Sequence, residues 1–261
     1  MKISILISSY NKGKYIKECL ESCLAQEDEN FEIILFDNFS NDETNEILNN
    51  FKDRVKIFKS KKVSVYPAMN QIDILLKAFH ISTGEIICLL DADDFFIKDK
   101  ISKVRNFFEN NNSTDILFDP PNIKKKNGFK KFRLKKKFFD NLWKTTIPTS
   151  SISLKRNFFN ECIKIDLFKN FNSLEIDFRL NVISQNIKKN FEILNESLNV
   201  YRQVDEGIMG RNKKFSLNWL KKRYQAHLFM RDIYLKNNTN YKNLDFSITK
   251  IIIFFFSLIK Y

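Results

Sequence analysis

The stretch GEIICLLDADDFF, residues 84–96, joins an apolar run to three carboxylates within four residues and then returns to two phenylalanines. The run that ends at Asp91 has no alternation of polar side chains, which is typical of a β-strand buried on both faces of a sheet. Three carboxylates so close together repel one another and resist burial. A cation or a hydroxyl-rich ligand beside them would explain why they gather there.

Similar apolar runs occur before and after this stretch. They lie at residues 3–8, 31–37, 55–58 and 116–119. Segments with helical character separate the first four strands, and these are predicted over residues 15–24, 40–48 and 69–80. The alternation predicts an α/β fold, with a mostly parallel sheet and helices on both of its faces.

Polar side chains follow three of the predicted strands. In an open parallel sheet, ligands bind beyond the carboxyl ends of the strands, so these side chains are expected along one edge. Mg²⁺ and Mn²⁺ take oxygen ligands, often one or two carboxylates together with phosphate oxygens. The edge therefore predicts a site for a divalent cation and a diphosphate. Its members are Ser8, Ser9, Tyr10 and Asn11 after the first strand, Asp37 and Asn38 after the second, and Asp91, Asp93 and Asp94 after the fourth.

Two other metal-binding motifs do not fit the acidic cluster. An EF-hand loop needs oxygen ligands at alternate positions and a glycine at the sixth, where this chain has Phe96. A phosphatase of the haloacid-dehalogenase type would follow its two aspartates with Thr or Val at the fifth position, where this chain has Phe95. A solvated helix start, at which carboxylates favour the helix dipole, stays open from the cluster alone.

The second half of the chain is strongly basic. Residues 1–119 carry 15 basic and 20 acidic side chains, residues 120–261 carry 29 and 11, and the whole chain has a net charge of +13. Such asymmetry predicts a nucleic acid, a membrane surface or a phosphate-bearing partner. Residues 124–137 hold nine of these basic side chains around a hairpin turn predicted at Asn127–Gly128. That hairpin is either solvated or binds phosphates or a membrane.

The C-terminal segment is predicted to be a helical extension. A helix is expected over residues 215–235, and the apolar run IIIFFFSLI follows at 251–259. Its nine residues are far fewer than the ~20 that span a bilayer. Three interpretations stay open: a helix packed on the domain, a helix in a membrane interface, or a partner interface.

The ends and the cysteines of the chain favour a cytoplasmic location. The first apolar run has only five residues before a serine, which is too short for a secretory signal. The four cysteines show no metal-ligand spacing and are expected to be reduced. They are Cys19, Cys23, Cys88 and Cys162.

Three blocks of the first half, in this order and spacing, resemble the family 2 glycosyltransferases of the GT-A fold. The blocks are SILISSYNKGKYIKECLESCLAQ (4–26), FEIILFDNFSNDET (31–44) and STGEIICLLDADDFFIKDK (82–100). The resemblance covers about residues 1–105 and continues more weakly in IPTSSISLKR (147–156) and LEIDFRL (174–180). It implies a nucleotide-sugar-binding half at 1–110, an acceptor-binding half of the same domain at 111–205 and the helical extension at 206–261.

The resemblance also implies roles for residues of the sheet edge. Asp37 would bind the base of the nucleotide. Asp91 and Asp93 would form the DxD pair, Asp91 at the ribose and Asp93 at the metal and diphosphate, and Asp94 would extend toward the donor sugar. The remaining nucleotide-binding residues would be Ser8, Ser9, Tyr10 and Asn70.

On the acceptor side, the resemblance implies that Asp177 is the catalytic base of a single, inverting displacement. Its neighbour Glu175 competes for this role, because the family's acidic pair is spread over three residues here. A second departure lies at Met69, where many members have an arginine before the asparagine that this chain keeps as Asn70.

The expected function is therefore a glycosyltransferase, with a UDP-sugar as the expected donor and Mn²⁺ or Mg²⁺ as the cofactor. The acceptor would be a saccharide or a lipid-linked saccharide of bacterial surface-glycan synthesis. If the enzyme acts at the inner face of the cell membrane, the membrane surface is a further partner. No nucleic acid is expected as a partner. Two alternatives stay open, a sugar-nucleotidyltransferase and a basic nucleic-acid-binding module. The second leaves the aspartates of the edge unexplained.

Overall fold

The computed structural model describes residues 1–125, 128–133, 146–166, 168–188, 190–204, 216–236 and 238–258. Eleven strands occur in these ranges: β1 Ile3–Ser9, β2 Phe31–Asp37, β3 Lys56–Lys59, β4 Ile86–Asp91, β5 Phe95–Phe96, β6 Ile116–Phe118, β7 Asn122–Lys125, β8 Gly128–Lys131, β9 Ile152–Lys155, β10 Phe191–Ile193 and β11 Asn199–Arg202. The α-helices are α1 Gly13–Leu24, α2 Thr44–Asn49, α3 Pro67–Ile81, α4 Lys100–Asn110, α5 Arg156–Lys164, α6 Ile176–Ile183, α7 Leu217–Lys236 and α8 Leu244–Leu258. A 3₁₀ turn, Thr149–Ser151, precedes β9, and a π-helical segment, Ser184–Lys188, follows α6.

A seven-stranded sheet forms the centre of the protein, in the order β10-β6-β9-β4-β1-β2-β3. Its neighbours pair in parallel except at β9, which is antiparallel to both β4 and β6. The register places Ser8 beside Asp91 and Ser9 beside Asp37. The predicted mostly parallel sheet is confirmed, and the polar ends of β1, β2 and β4 lie side by side.

Helices cover both faces of this sheet, as predicted. On one face, α3, α5, α6 and α7 pack on strand residues such as Leu6 and Leu89. On the other face, α1, α2 and α4 pack on Ile5 and Leu90. Neighbouring residues of one strand therefore enter opposite halves of the core, which is why the strands carry no polar alternation.

A second sheet has four strands in the order β5-β11-β7-β8. Phe95 and Phe96 form its first strand, and they pair with β11 in antiparallel fashion. The two phenylalanines that follow the carboxylates therefore mark the point at which the chain passes from the first sheet to the second. The predicted basic hairpin is present as β7 and β8, with Lys125 opposite Gly128. Asn127 of its turn and the basic residues after 133 lie outside the described residues.

A buried ion pair joins α4 to the end of β6. Lys100 and Asp119 are both fully buried, and the Lys100 ammonium donates to the two Asp119 carboxylate oxygens at 2.8 and 3.0 Å. It also donates to the carbonyl of Ser150 at 3.0 Å, and Asn199 of β11 donates to Asp119 as well. Removing one partner of such a pair typically costs about 3–5 kcal/mol, because the other charge is left buried alone.

The predicted helical extension is present as α7 and α8. The helix expected over 215–235 begins at Leu217 and ends at Lys236, and Phe215 lies outside the described residues. Asp245 of α8 fastens the two helices together, since it pairs with Arg223 and accepts from His227 at 2.8 Å. In the part of the chain that the structure describes, no helix is long and apolar enough to cross a membrane.

Candidate active site

Asp91 ends β4 at the centre of the sheet edge. One of its carboxylate oxygens accepts from the Ser8 hydroxyl at 3.0 Å and from the Gln71 amide at 2.7 Å. Burial, and then the charge of Asp93, raise the pKa of Asp91 to about 6. The side chains of β1, α3 and β4 are therefore joined at one carboxylate, as the parallel sheet predicted.

Asp93 and Asp94 have different surroundings. Asp93 lies at the surface of the edge and forms an ion pair with Lys12, from the loop before α1. Asp94 is only 1% exposed and turns into the protein. Its two oxygens accept from the Ser150 hydroxyl at 2.6 Å and from the backbone N–H of Arg202 at 2.8 Å. Burial and the charges of Asp93 and Asp91 raise the pKa of Asp94 well above its usual range.

Ser150 ties the acidic loop to the second half of the chain. Its hydroxyl donates to Asp94 and accepts from the backbone N–H of Asp91 at 3.1 Å. The antiparallel strand β9, which follows Ser150, places this residue between β4 and β6. The weak match in IPTSSISLKR was the only sequence signal that pointed to this residue.

Some of the residues predicted to bind the nucleotide, at the ends of β1 and β2, have polar atoms without a hydrogen-bond partner in the described chain. Asp37 is fully buried, and both of its oxygens accept from Ser40. Among the described residues, the buried Ser9 hydroxyl and the buried Asn38 carbonyl oxygen have no hydrogen-bond partner. Buried polar atoms are rarely left without a partner in folded proteins. Tyr10 beside them is 38% exposed.

Asn70 braces the loop between β3 and α3. Its carbonyl oxygen accepts from the backbone N–H groups of Val63 and Ser64 at 2.9 Å each, and its amide donates to the Ser64 carbonyl at 2.8 Å. These bonds occupy most of its polar capacity, so its contribution to the edge is to hold the loop. Met69, in the position of the absent arginine, contacts the guanidinium of Arg179 at 3.7 Å. Direct nucleotide contact by Asn70 stays a prediction.

Glu175 and Asp177 lie at the start of α6. Glu175 immediately precedes the helix and pairs with Lys222 of α7, while Asp177 lies in the first turn. Burial, and then the charge of Glu175, raise the pKa of Asp177 to about 7, and the charge of Asp91 contributes to the rise. Asp177 is therefore close enough to the sheet edge for the charge of Asp91 to affect it. The pKa of Asp177 suits a proton acceptor at neutral pH.

Two interactions fix the start of α6 in this place. Arg179 is fully buried and donates to the carbonyls of the preceding loop, among them Asn170 at 2.8 Å and Phe171 at 2.9 Å. Both of these residues have a positive φ, which an ordinary side chain adopts only when its surroundings hold it there. Asn181 exchanges two hydrogen bonds with the backbone of Ile147, which joins α6 to the segment that carries Ser150.

No pattern in the sequence indicated that Tyr201 belongs to this site. Tyr201 lies in β11 and is half-buried. Burial, and then the charges of Asp94, Asp91, Asp93 and Asp177, raise its pKa. The phenol therefore lies near all four carboxylates and keeps its proton, which it can donate to a ligand. One tyrosine in a strand is typical of an ordinary core residue, so the sequence around Tyr201 does not single it out.

The acidic loop fits a cation bound together with a diphosphate better than a closed metal cage. Among the residues that the structure describes, no group of three or more His, Cys, Asp or Glu side chains could hold a metal ion. Mg²⁺ bound to nucleotides usually takes one or two carboxylates, and phosphate and water oxygens complete its shell. Asp91 and Asp93 would supply two such carboxylates, and burial, followed by the charge of Asp93, raises the pKa of Asp91. A cation would relieve that repulsion.

The fold and the acidic edge define a glycosyltransferase of the GT-A type, and comparison with known families agrees. The glycosyl transferase family 2 model matches residues 4–162, which is more than half of the chain. The protein belongs to this family and is a glycosyltransferase.

Relatives of known sequence include two glucosyltransferases whose names specify their acceptors. MJ1057 of Methanocaldococcus jannaschii, an uncharacterized glycosyltransferase, is 28% identical over 272 residues, which are 99% of this chain and 87% of that protein. WfaP of Escherichia coli, a UDP-Glc:alpha-D-GlcNAc-diphosphoundecaprenol beta-1,3-glucosyltransferase, is 36% identical over 107 residues, which are 41% of each chain. The poly(ribitol-phosphate) beta-glucosyltransferase of Bacillus spizizenii is 35% identical over 45% of this chain and 19% of its own length. The matches thus span most of the first relative but less than half of the other two.

Solved structures with low sequence identity share the fold. Residues 1–349 of S. aureus TarS, in complex with UDP-GlcNAc, superpose with a TM-score of 0.66 at 15% identity, over 97% of this chain and 70% of that one. The mannosyltransferase PcManGT from Pyrobaculum calidifontis, in complex with GDP-Man and Mn²⁺, gives a TM-score of 0.56 at 13% identity, over 97% and 69%. These likenesses confirm the GT-A fold.

The raised pKa of Asp177 predicts a pH-dependent effect on stability. Because the pKa rises from 3.8 to about 7 on folding, the folded state holds this proton more tightly, and stability falls as pH rises through that window. The asparagine of Asp177→Asn cannot ionise, so the variant does not lose this stability as pH rises. The unfolding free energy of the variant minus that of the parent should therefore be larger at pH 8 than at pH 4.5, by about 1 kcal/mol or more. Urea unfolding of both proteins in EDTA at the two pH values measures this difference.

Taking the difference between variant and parent removes the contribution of Asp91, which titrates in both proteins. A difference in unfolding free energy that stays the same at the two pH values would contradict the raised pKa of Asp177.

Proposed function

We propose that the protein transfers a sugar from a nucleoside-diphosphate sugar to a saccharide or lipid-linked saccharide, with inversion at the sugar carbon. The observation that carries this proposal is the sheet edge, where burial and then the charge of Asp93 raise the pKa of Asp91 and the charge of Asp91 contributes to the raised pKa of Asp177. A UDP-sugar is the expected donor. Support for a uridine nucleotide comes from TarS, which shares the fold and was crystallised with UDP-GlcNAc, and from WfaP, whose name specifies UDP-Glc.

The nucleoside would lie over the ends of β1 and β2. Ser9 and Asn38 offer a buried hydroxyl and a buried carbonyl oxygen that the described protein leaves unpaired, and a base or ribose can supply their partners. Tyr10 is 38% exposed, and its ring would stack on a base by displacing the Lys62 ammonium, which lies 3.8 Å from the ring centroid. Both carboxylate oxygens of Asp37 accept hydrogen bonds from Ser40, so Asp37 would help to bind the base indirectly, by holding the loop after β2 in place. Ser8 and Gln71 fix the Asp91 carboxylate for the ribose.

A divalent cation, Mn²⁺ or Mg²⁺, would be held by Asp93, with Asp91 nearby, and would neutralise charge on the diphosphate. Lys12 balances Asp93 in this structure. Because a lysine ammonium is a point charge on a flexible stem, Lys12 can pair with a phosphate when Asp93 takes another partner. Asp94 would serve the donor sugar by holding Ser150 and β11, and Tyr201 would present its hydroxyl to a ligand among the carboxylates.

The proton of the acceptor hydroxyl would go to the carboxylate of Asp177. A base works best when its pKa is near the working pH, and the pKa of Asp177 is about 7. Glu175 is the competing candidate. Its carboxylate is already engaged in an ion pair with Lys222 of α7, so it is less available to an acceptor hydroxyl than Asp177 is. The acceptor would therefore approach from the α6 side of the edge.

The proposed reaction belongs to surface-glycan synthesis. This assignment is supported by two relatives whose names specify a diphosphoundecaprenol-linked sugar and a poly(ribitol-phosphate) as acceptors. Both acceptors carry phosphates, and the second half of this chain carries 29 basic against 11 acidic side chains. That charge would attract such an acceptor.

Nucleotide binding should depend on the cation through Asp93. A ligand that binds only the folded state raises the melting temperature, so UDP, GDP, CMP and dTDP can be compared by thermal shift with and without Mn²⁺. We expect Mn²⁺ to increase the thermal shift produced by one of these nucleotides. That nucleotide is expected to be UDP. Asp93→Asn should lose most of this increase, because an amide is a poorer ligand for a hard cation.

The matched control for this panel is Asp73→Asn, which removes a carboxylate from an exposed i,i+4 pair with Lys77 on α3. It should behave like the parent. An Mn²⁺-dependent shift of the same size in Asp93→Asn and the parent would remove Asp93 from the cation site. No shift by any nucleotide would count against the proposed donor class.

Turnover should depend on Asp177 more than on Glu175. With a donor identified by the panel, Asp177→Asn should lower kcat by at least about 10²-fold, as expected for loss of a general base, and Glu175→Gln should have a milder effect. For the parent, kcat should rise with pH through about 7, where Asp177 loses its proton. Steady-state assays from pH 5.5 to pH 9 measure both effects.

Thermal shifts with the nucleotide should be the same in both variants and the parent, which separates catalysis from donor binding. If Glu175→Gln is inactive while Asp177→Asn keeps near-parental turnover, the base is Glu175. Near-parental turnover in both variants would remove the base from this segment.

A further inference from the structure

Helix α8 exposes an apolar face that the described chain does not cover. Leu244, Ile248, Ile251, Ile252 and Phe255 recur at helical spacing. Their exposed fractions are 79, 46, 56, 37 and 57%. So many large apolar side chains on one exposed helix face mark an interaction surface.

The opposite side of α8 is anchored in the protein. Phe246 is 7% exposed and Thr249 is 2% exposed. Asp245 pairs with Arg223 and His227 of α7. The helix is therefore fixed in its orientation, and it holds the apolar face outward.

The charge around this face limits what can cover it. Residues 216–258 carry seven basic and two acidic side chains. Lys242 and Lys250 are exposed, and they lie just before and within the exposed helix. A second copy of the chain would bring this same basic surface against itself, since a twofold contact joins identical patches. An anionic lipid surface offers both apolar chains and the opposite charge.

We propose that α8 binds the interface of an anionic lipid bilayer, with its axis along the membrane plane and its apolar face among the acyl chains. The helix does not span the membrane, since its fifteen residues are too few. Exposed lysines beside it contact lipid headgroups, each contributing attraction that falls with salt.

This placement brings the membrane close to the acceptor side of the candidate site. The helix α7, to which α8 is fastened, also carries Lys222, the partner of Glu175 at the start of α6. A lipid-linked acceptor would then meet α6 without leaving the bilayer. Only this consequence depends on the proposed function, because binding to vesicles requires neither donor nor acceptor.

Flotation of the full chain with vesicles tests the inference. Vesicles of phosphatidylcholine with about 30 mol% phosphatidylglycerol should carry the protein, and vesicles of phosphatidylcholine alone should carry much less. The double variant Ile251→Ser/Phe255→Ser should lower the partition coefficient at least about tenfold, because two exposed apolar side chains lose their burial in lipid. The matched control is Val63→Ser/Val65→Ser, which changes two exposed apolar residues in the loop before α3 and should float like the parent.

A second variant keeps the apolar face and changes only the charge. Lys242→Glu/Lys250→Glu should lower the partition into anionic vesicles several-fold and leave the weak partition into neutral vesicles unchanged. The melting temperature of each of the three double variants, measured by circular dichroism, should stay close to that of the parent, because all six altered side chains are exposed.

Equal flotation of the parent and Ile251→Ser/Phe255→Ser would overturn the inference, as would no flotation of the parent. Light scattering identifies the alternative occupant. If the parent is a dimer that this variant converts to a monomer, and vesicles do not bind, the face joins two copies of the chain. A collapse of the melting temperature in Ile251→Ser/Phe255→Ser would mean that the face is part of the core, which would also overturn the inference.

Discussion

The crowding of Asp91, Asp93 and Asp94 at the end of β4 is the constraint on which the rest of the site depends. Burial, and then the like charge of Asp93, raise the pKa of Asp91 to about 6. Each carboxylate is held by a different part of the chain. Ser8 and Gln71 hold Asp91, Lys12 faces Asp93, and Ser150 with the backbone of Arg202 holds Asp94. The repulsion is tolerated because the fold supplies these partners, and it leaves a place where a cation would be stabilised.

Much of this arrangement follows from patterns that the sequence carries locally. The apolar runs predicted β1, β2 and β4 within about one residue of their ends, because strands buried on both faces need continuous apolar residues. Parallel pairing then brings Ser8, Asp37 and Asp91 to one edge without further information. The hairpin of β7 and β8 was also predictable, since Gly128, with a φ of 121°, suits a tight turn.

The parts that sequence patterns did not predict depend on tertiary contacts. Strand β9 begins only at Ile152, after a 3₁₀ turn, and nothing in its four residues indicates that it inserts antiparallel between β4 and β6. That insertion places Ser150 at the acidic loop. Likewise, β5 has two residues and acquires its identity only by pairing with β11. Asn70 was predicted to bind the nucleotide because of its place in the family pattern. In the structure its side chain forms hydrogen bonds with the backbone of the nearby loop instead.

The proposed acceptor side, at α6, is connected to the proposed donor side, at the acidic loop, through buried polar contacts. Asn181 of α6 bonds to the backbone of Ile147, three residues before Ser150, and Lys100 bonds to the Ser150 carbonyl. The candidate base and the acidic loop are therefore held relative to one another by the same short segment. Such rigid support is what positions reacting groups, and small displacements of it reduce rates.

The central claim is that a cation and a nucleoside diphosphate occupy this edge together, at Asp93. The most direct test is X-ray diffraction from crystals of the protein with UDP and Mn²⁺, with anomalous data collected at the manganese absorption edge. The account predicts one anomalous peak in coordination contact with the Asp93 carboxylate and with phosphate oxygens of the nucleotide, with the base beside Ser9 and Asn38. A nucleotide bound without manganese at Asp93, or a manganese peak away from the acidic loop, would contradict it.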